Sequence, residues 1–142
     1  MTTSENIPLG SPMRHHFPRL SLSQWLSALV PPMAWATLIF VLSDQSVLAG
    51  LETNTLDFIF KKAAHMFVYA VLYLFLWRTF RILSPQSLTP KYWYVPVVIC
   101  LLYAISDELH QMTVPGRHGT LRDVGFDMLG VSVAFLHKYG YI

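Results

Sequence analysis

Four apolar stretches alternate with polar segments along this chain. Trp25 to Leu42 is an uncharged run of 18 residues, enough for a helix of about 27 Å at a rise of about 1.5 Å per residue. Pro31 and Pro32 inside it predict a kink of the kind membrane helices tolerate. Ala34-Trp35-Ala36 resembles a signal-peptide cleavage site, but the apolar run continues to Leu42, which favours an uncleaved anchor. Residues 43–60 read as a polar loop with Asp44, Gln45, Glu52, Asn54 and Asp57, closing in a short amphipathic piece around Leu56, Phe58, Ile59 and Phe60.

A second helix is predicted over about 62–80, bounded by Lys61 and Lys62 on one side and Arg78 and Arg81 on the other. A third, about 92–111, opens on Tyr92-Trp93-Tyr94 and runs into Asp107, Glu108, His110 and Gln111. The fourth, about 121–138, carries Asp123, Asp127, Gly125 and Gly130. The fold class is therefore all-α, a polytopic membrane bundle of four transmembrane helices over residues 24–142. Residues 1–23, rich in proline and basic side chains, are predicted to form a flexible tail.

Composition agrees with lipid as the solvent. Of the 142 residues 54% are hydrophobic and only 13% charged, against about 25% charged in a typical soluble domain. The mean hydropathy is +0.43. A net charge of +2 and the lack of a basic run argue against nucleic acid. Cys100, the single cysteine, lies in an apolar run and is expected to be packing.

Short basic flanks set the orientation. Threading four spans puts Arg14, Arg19, Arg78, Arg81, Lys91 and Lys138 on one side and Lys61, Lys62, Arg117 and Arg122 on the other. The positive-inside rule then predicts both termini in the cytoplasm. The same threading gathers every acidic residue except Glu5 at the outer face.

Candidate chemistry lies at that face. Lys62, His65 and Tyr69 fall on one helical stripe, and an ionisable group inside a span is a functional candidate. On helix three, Glu108 and Gln111 share a face, as do Asp107 and His110; Asp107 and Glu108 point in different directions, and one of the two is expected to face the interface. Val114-Pro115-Gly116-Arg117 fits a type II turn that would present Arg117. Thr120 to Asp123 fits an N-terminal cap for helix four, whose N-terminus, with Arg122, is expected to attract an anion. Asp123 and Asp127 line one side of helix four, with Gly130 permitting close helix approach.

The combination Lys62-x-x-His65-x-x-x-Tyr69, Ser106-x-Glu108-x-x-Gln111, Pro115-Gly116-Arg117, Asp123 and Gly130, with Ser43-Asp44-Gln45, resembles the VanZ-like family of small bacterial membrane proteins. The match spans roughly residues 25–137. One departure is Asp127, where the family commonly has asparagine. The resemblance implies an association with teicoplanin resistance and the cell envelope, without a settled activity. The expected function is action on, or binding of, an anionic lipid headgroup or lipid-linked precursor. His65, Glu108 and Asp123 are the candidate catalytic groups, and Lys62, Tyr69, Gln111, Arg117, Arg122 and Asp127 the candidate binding groups. Purely binding and structural accessory roles are the alternatives. A zinc site built from His65, Glu108, His110 and Asp123 is chemically conceivable. Tight ligand spacing is absent, however, and neighbouring arginines oppose a cation, so no metal or cofactor is expected.

Overall fold

The computed structural model describes residues 20–44, 55–83, 92–114 and 119–142, and they form four α-helices: α1 Leu22–Ser43, α2 Thr55–Leu83, α3 Val95–Gln111 and α4 Leu121–Lys138. The all-α expectation is met. Helices α1 and α2 contain segments long and apolar enough to cross a membrane, Leu22–Ser43 and Phe58–Leu83. Helix α3, with 17 residues, is shorter, and α4 carries Arg122, Asp123, Asp127 and Lys138.

Three boundaries differ from expectation. Helix α1 starts inside the expected tail, because Ser21 caps it. Its hydroxyl accepts from the Gln24 amide (3.3 Å), and its own amide donates to Gln24 Oε1 (2.8 Å). Helix α2 begins at Thr55, so the expected interfacial piece is the first part of the helix rather than a separate element. Residues 92–94 form a turn that precedes α3 instead of opening it, and Pro96 takes the early helical position where a missing amide costs nothing.

The helices alternate in direction. The α1 N-terminal half meets the α2 C-terminal half through Ser27 and Arg78. The α1 and α3 C-termini meet through Phe40 and His110, whose rings stack at 4.4 Å, and the N-terminal halves of α2 and α4 meet through Lys62 and Asp123. Helix α4 packs chiefly on α2, and α1 contacts α2 and α3 but not α4.

Two features explain the close packing. Gly130 lies against the Met66 backbone, where an added Cβ would collide with the Met66 carbonyl, so α2 and α4 approach as small residues permit. The second feature is the proline pair. Helix α1 runs unbroken through Pro31 and Pro32, which have no amide hydrogen to donate to the carbonyls of Ser27 and Ala28, four residues earlier. Side chains of α2 supply the missing donors. Arg78 Nη1 donates to the Ser27 carbonyl (2.5 Å), and Thr79 Oγ1 to the Ala28 carbonyl (2.6 Å). Trp35 Nε1 donates to the Val68 carbonyl (2.8 Å) and Tyr103 to the Ala36 carbonyl (2.6 Å), adding two further ties.

The apolar core comprises Ile39, Tyr69, Leu72, Tyr73, Cys100, Ala104, Val124, Val131 and Ala134. Cys100 is packing, as expected. The rest of the chain is inverted relative to a soluble protein. Asp107, Glu108, Gln111, Asp123 and Asp127 are buried, while Leu26, Met33, Phe40, Phe67, Leu102, Leu109 and Leu129 are exposed.

Candidate functional site

Apart from Thr79, the buried polar residues collect at one end of the bundle where α2, α3 and α4 meet, from Gln111 at the end of α3 and Asp123 in the first turn of α4 inward to Asp127. Helix α4 begins as its sequence dictates: Thr120 has extended backbone angles, and its hydroxyl accepts from the Asp123 amide (3.3 Å). Asp123 does not complete the reciprocal half of a capping box. The Thr120 amide donates instead to Glu108 Oε2 of α3 (2.7 Å), so the anion held at this helix N-terminus is one of the protein's own carboxylates. Gly119 makes the contact possible, because a Cβ there would strike the Glu108 carbonyl.

Asp123 is thereby left to Lys62, with which it forms an ion pair. Both side chains are mostly shielded, at 15% and 11% exposure, and the Lys62 ammonium sits 5.4 Å from the Phe58 ring and 5.6 Å from the Phe126 ring. Lys62 turns inward across the helix interface and does not snorkel away from it.

One turn deeper, His65 Nδ1 lies 2.9 Å from Asp127 Oδ1. The Asp127 side chain is fully buried, whereas His65 retains 18% exposure. Glu108 completes a trio. One ligating atom from each of His65, Glu108 and Asp127 falls within 4.8 Å of the others. Tyr69 is fully buried on the same stripe of α2, within electrostatic reach of the carboxyls of Asp107, Asp127 and Glu108.

One of Asp107 and Glu108 was expected to face the interface; both are buried. Gln111 Nε2 donates to Asp107 Oδ2 (3.0 Å) and to Ser43 Oγ (3.4 Å), tying α3 to the end of α1. Sequence spacing missed Asp107 and Ser43 as members of this polar layer. The one available signal was the Ser43-Asp44-Gln45 element, whose first residue is the partner. Ser106, by contrast, is exposed and bonds back to the Tyr103 carbonyl (2.8 Å).

The candidate residues therefore divide. His65, Glu108, Asp127 and Tyr69 come together; Lys62 and Asp123 pair beside them; Gln111 braces Asp107. Arg122 is exposed on the rim, its guanidinium 5.5 Å over the Phe58 ring. Arg117 and the turn that carries it lie outside the described residues. His110 stays apart from the trio, stacked on Phe40 and 3.5 Å from Asp44.

The VanZ/LLP1 family model matches residues 6–138, nearly the whole chain. This chain belongs to the VanZ/LLP1 family. No curated protein and no solved structure shows a significant match. Of the motif residues behind the resemblance, Ser43, Lys62, His65, Tyr69, Glu108, Gln111 and Asp123 line the polar layer and Gly130 fixes the helix approach that closes it, whereas Ser106 is exposed and Pro115-Gly116-Arg117 lies outside the described residues.

In chemical terms the trio combines an imidazole with two carboxyls, groups that can exchange protons or ligate a cation. Asp127 engages His65 through Nδ1 and orients the ring. His65 is the most exposed member of the trio.

Proposed function

We propose that this VanZ-family protein is a multi-pass membrane protein whose four helices all lie in the bilayer. Its buried polar layer then acts on, or binds, the headgroup of an anionic lipid or lipid-linked cell-envelope precursor at the outer face of a bacterial inner membrane. In this reading residues 24–142 are one membrane domain, and both termini are cytoplasmic. The observation that carries it is the inverted distribution of side chains. Large apolar groups cover α3 and α4 as well as α1 and α2, among them Leu102 at 61%, Leu109 at 60% and Leu129 at 49% exposed. Carboxylates occupy the interior. Contiguous exposed apolar surface calls for a cover, and lipid on all four helices supplies one.

The headgroup assignment rests on the division of labour at the site. Lys62 and Arg122 flank the rim around Phe58, giving positive charge beside an apolar ring, a combination suited to an anionic headgroup with an acyl chain. Beneath the rim, His65 serves as general base or acid, with Asp127 orienting it. Glu108, held by the Thr120 amide through one oxygen, is the second proton-handling group.

The test compares lipid extracts, lipid-linked precursor pools and glycopeptide susceptibility in cells carrying no protein, wild type, His65→Ala, Glu108→Gln and Arg122→Ala. Chemistry predicts loss of the wild-type change in His65→Ala and Glu108→Gln at normal protein level. Pure binding predicts that Glu108→Gln is tolerated and Arg122→Ala is not. Identical extracts with and without the protein would remove the lipid from the proposal.

A further inference from the structure

We infer that His65, Glu108 and Asp127 form a binding site for a single divalent cation of the zinc or manganese type. The inference stands apart from the identity of any lipid substrate.

Three helices each contribute one potential ligand: an imidazole from α2, a carboxylate from α3 and a carboxylate from α4, with ligating atoms within 4.8 Å of one another. Proximity of acids alone would carry little. The second observation is how each carboxylate is held. Glu108 accepts the Thr120 amide through Oε2, and its Oε1 is buried without a hydrogen-bond partner among the described residues. Asp127 meets His65 through Oδ1, and its Oδ2 is likewise buried and unpartnered. Glu108 is 5% exposed and Asp127 is fully buried. Glu108 is fixed through one oxygen by an outer hydrogen bond and offers the other, the arrangement that orients ligating carboxylates; Asp127 Oδ1 and His65 Nδ1 lie 2.9 Å apart, so a cation would take the place of the proton they share. The Tyr69 hydroxyl, also buried and without a partner among the described residues, lies within electrostatic reach of the same carboxyls.

Charge favours the same conclusion. Lys62 is committed to Asp123, and Arg122 lies over Phe58. These two cations are thus engaged beside the trio rather than in it, and two buried carboxyls lie next to the His65 imidazole. Burying carboxylate charge is costly, and a divalent cation offsets that cost. One nitrogen and two oxygens suit zinc or manganese better than calcium, which takes oxygen ligands only. A tetrahedral shell with bonds of about 2.0–2.2 Å needs ligand atoms about 3.3–3.6 Å apart, so the His65–Asp127 pair at 2.9 Å would open slightly and separations wider than that edge would close. Three protein ligands leave a fourth position for water.

The test uses the full chain purified in detergent, stripped with chelator and titrated with Zn²⁺, Mn²⁺ and Mg²⁺ separately by calorimetry, with metal content read by mass spectrometry. One equivalent of Zn²⁺ or Mn²⁺ is expected to bind, with a rise in unfolding temperature. Loss of outer-shell partners typically weakens metal sites by about 10–100-fold, so loss of a ligand in His65→Ala, Glu108→Gln or Asp127→Asn is expected to weaken binding by at least about that much. The tail histidines are the obvious confounder: binding that vanishes in a His15→Ala/His16→Ala protein and persists in Asp127→Asn overturns the inference. So does the absence of stoichiometric binding to wild type. Glu108→Gln and Asp127→Asn preserve shape and carry the test should His65→Ala fail to fold.

Discussion

Removing the Thr79 hydroxyl should destabilise the protein only while Pro32 is present. Pro32 leaves the Ala28 carbonyl without its intrahelical donor, and Thr79 Oγ1 fills that place at 2.6 Å in a buried setting. The same hydroxyl lies 2.9 Å from the Phe75 carbonyl of its own helix, but that carbonyl also receives the Thr79 amide along α2. The proton is therefore worth most at Ala28. Thr79→Val keeps the branched shape and removes the donor. An orphaned buried carbonyl costs about 1–3 kcal/mol, whereas interhelical hydrogen bonds in membrane proteins average about 0.6 kcal/mol with a maximum near 1.7. The expected loss in the wild-type background is about 1.5 kcal/mol, where both ranges overlap. In Pro32→Ala the residue-32 amide returns to Ala28, and Thr79→Val should cost about 0.5 kcal/mol or less. A double-mutant cycle measured by steric trapping or by unfolding in mixed micelles should thus give a coupling near 1 kcal/mol. Equal costs of Thr79→Val in the two backgrounds would refute the pairing of prolines in α1 with donors in α2.

Further substitutions probe the site end of the bundle. Gly130→Ala forces a Cβ into the Met66 carbonyl and should cost about 2–3 kcal/mol by overpacking. Gly125→Ala meets no atom within 4 Å and should be neutral or stabilising by up to about 1 kcal/mol through helix propensity; similar unfolding free energies for the two variants would contradict the close approach. Lys62→Met leaves Asp123 shielded and without its cation, an expected loss of about 3 kcal/mol. Adding Asp123→Asn should return most of that loss, and a double variant as unstable as Lys62→Met would show that the ion pair is not what stabilises this interface. Gly119→Ala should displace Glu108 and lower any lipid phenotype without altering α1 contacts; a normal phenotype would separate Glu108 placement from function.

The four helices were legible because their apolar runs are long and their polar breaks abrupt. The Thr120 cap and the Gly130 contact were legible because each depends on spacing within one helix. Asp107 was not. Adjacent residues on a helix diverge by about 100°, which suggested that one of Asp107 and Glu108 must leave the interior. Helix α3, however, lies between two polar neighbours: Ser43 of α1 meets Gln111 on the Asp107 side, and Thr120 of α4 meets Glu108 on the other. Divergent side chains can both be buried when the helix has a partner on each side, and that arrangement is tertiary. The start of α2 was missed because the lysines at 61 and 62 resemble a membrane boundary, while the helix continues to Thr55. Arg122 was expected to face an anion at the α4 N-terminus; Glu108 already satisfies the Thr120 amide there, and Arg122 stands over Phe58.

These contacts also separate the groups that hold the bundle together from those available for chemistry. Lys62 with Asp123, Gln111 with Asp107 and Ser43, and Glu108 Oε2 with Thr120 are cross-links, and each joins or braces specific helices. A layer that served only to pin helices gains most when every polar atom is satisfied, since a half-satisfied buried network costs more than an apolar one. Among the described residues, Asp107 Oδ1, Glu108 Oε1, Asp127 Oδ2 and the Tyr69 hydroxyl are four of the seven buried side-chain atoms without a hydrogen-bond partner; Tyr73, His110 and Tyr139 supply the other three, away from the trio. The four belong to one layer, and the partly exposed His65 adjoins it. A layer in which three carboxyls each keep an unsatisfied oxygen is poorly explained as a structural pin alone, and that argues for weighing the binding and chemical readings above the structural one.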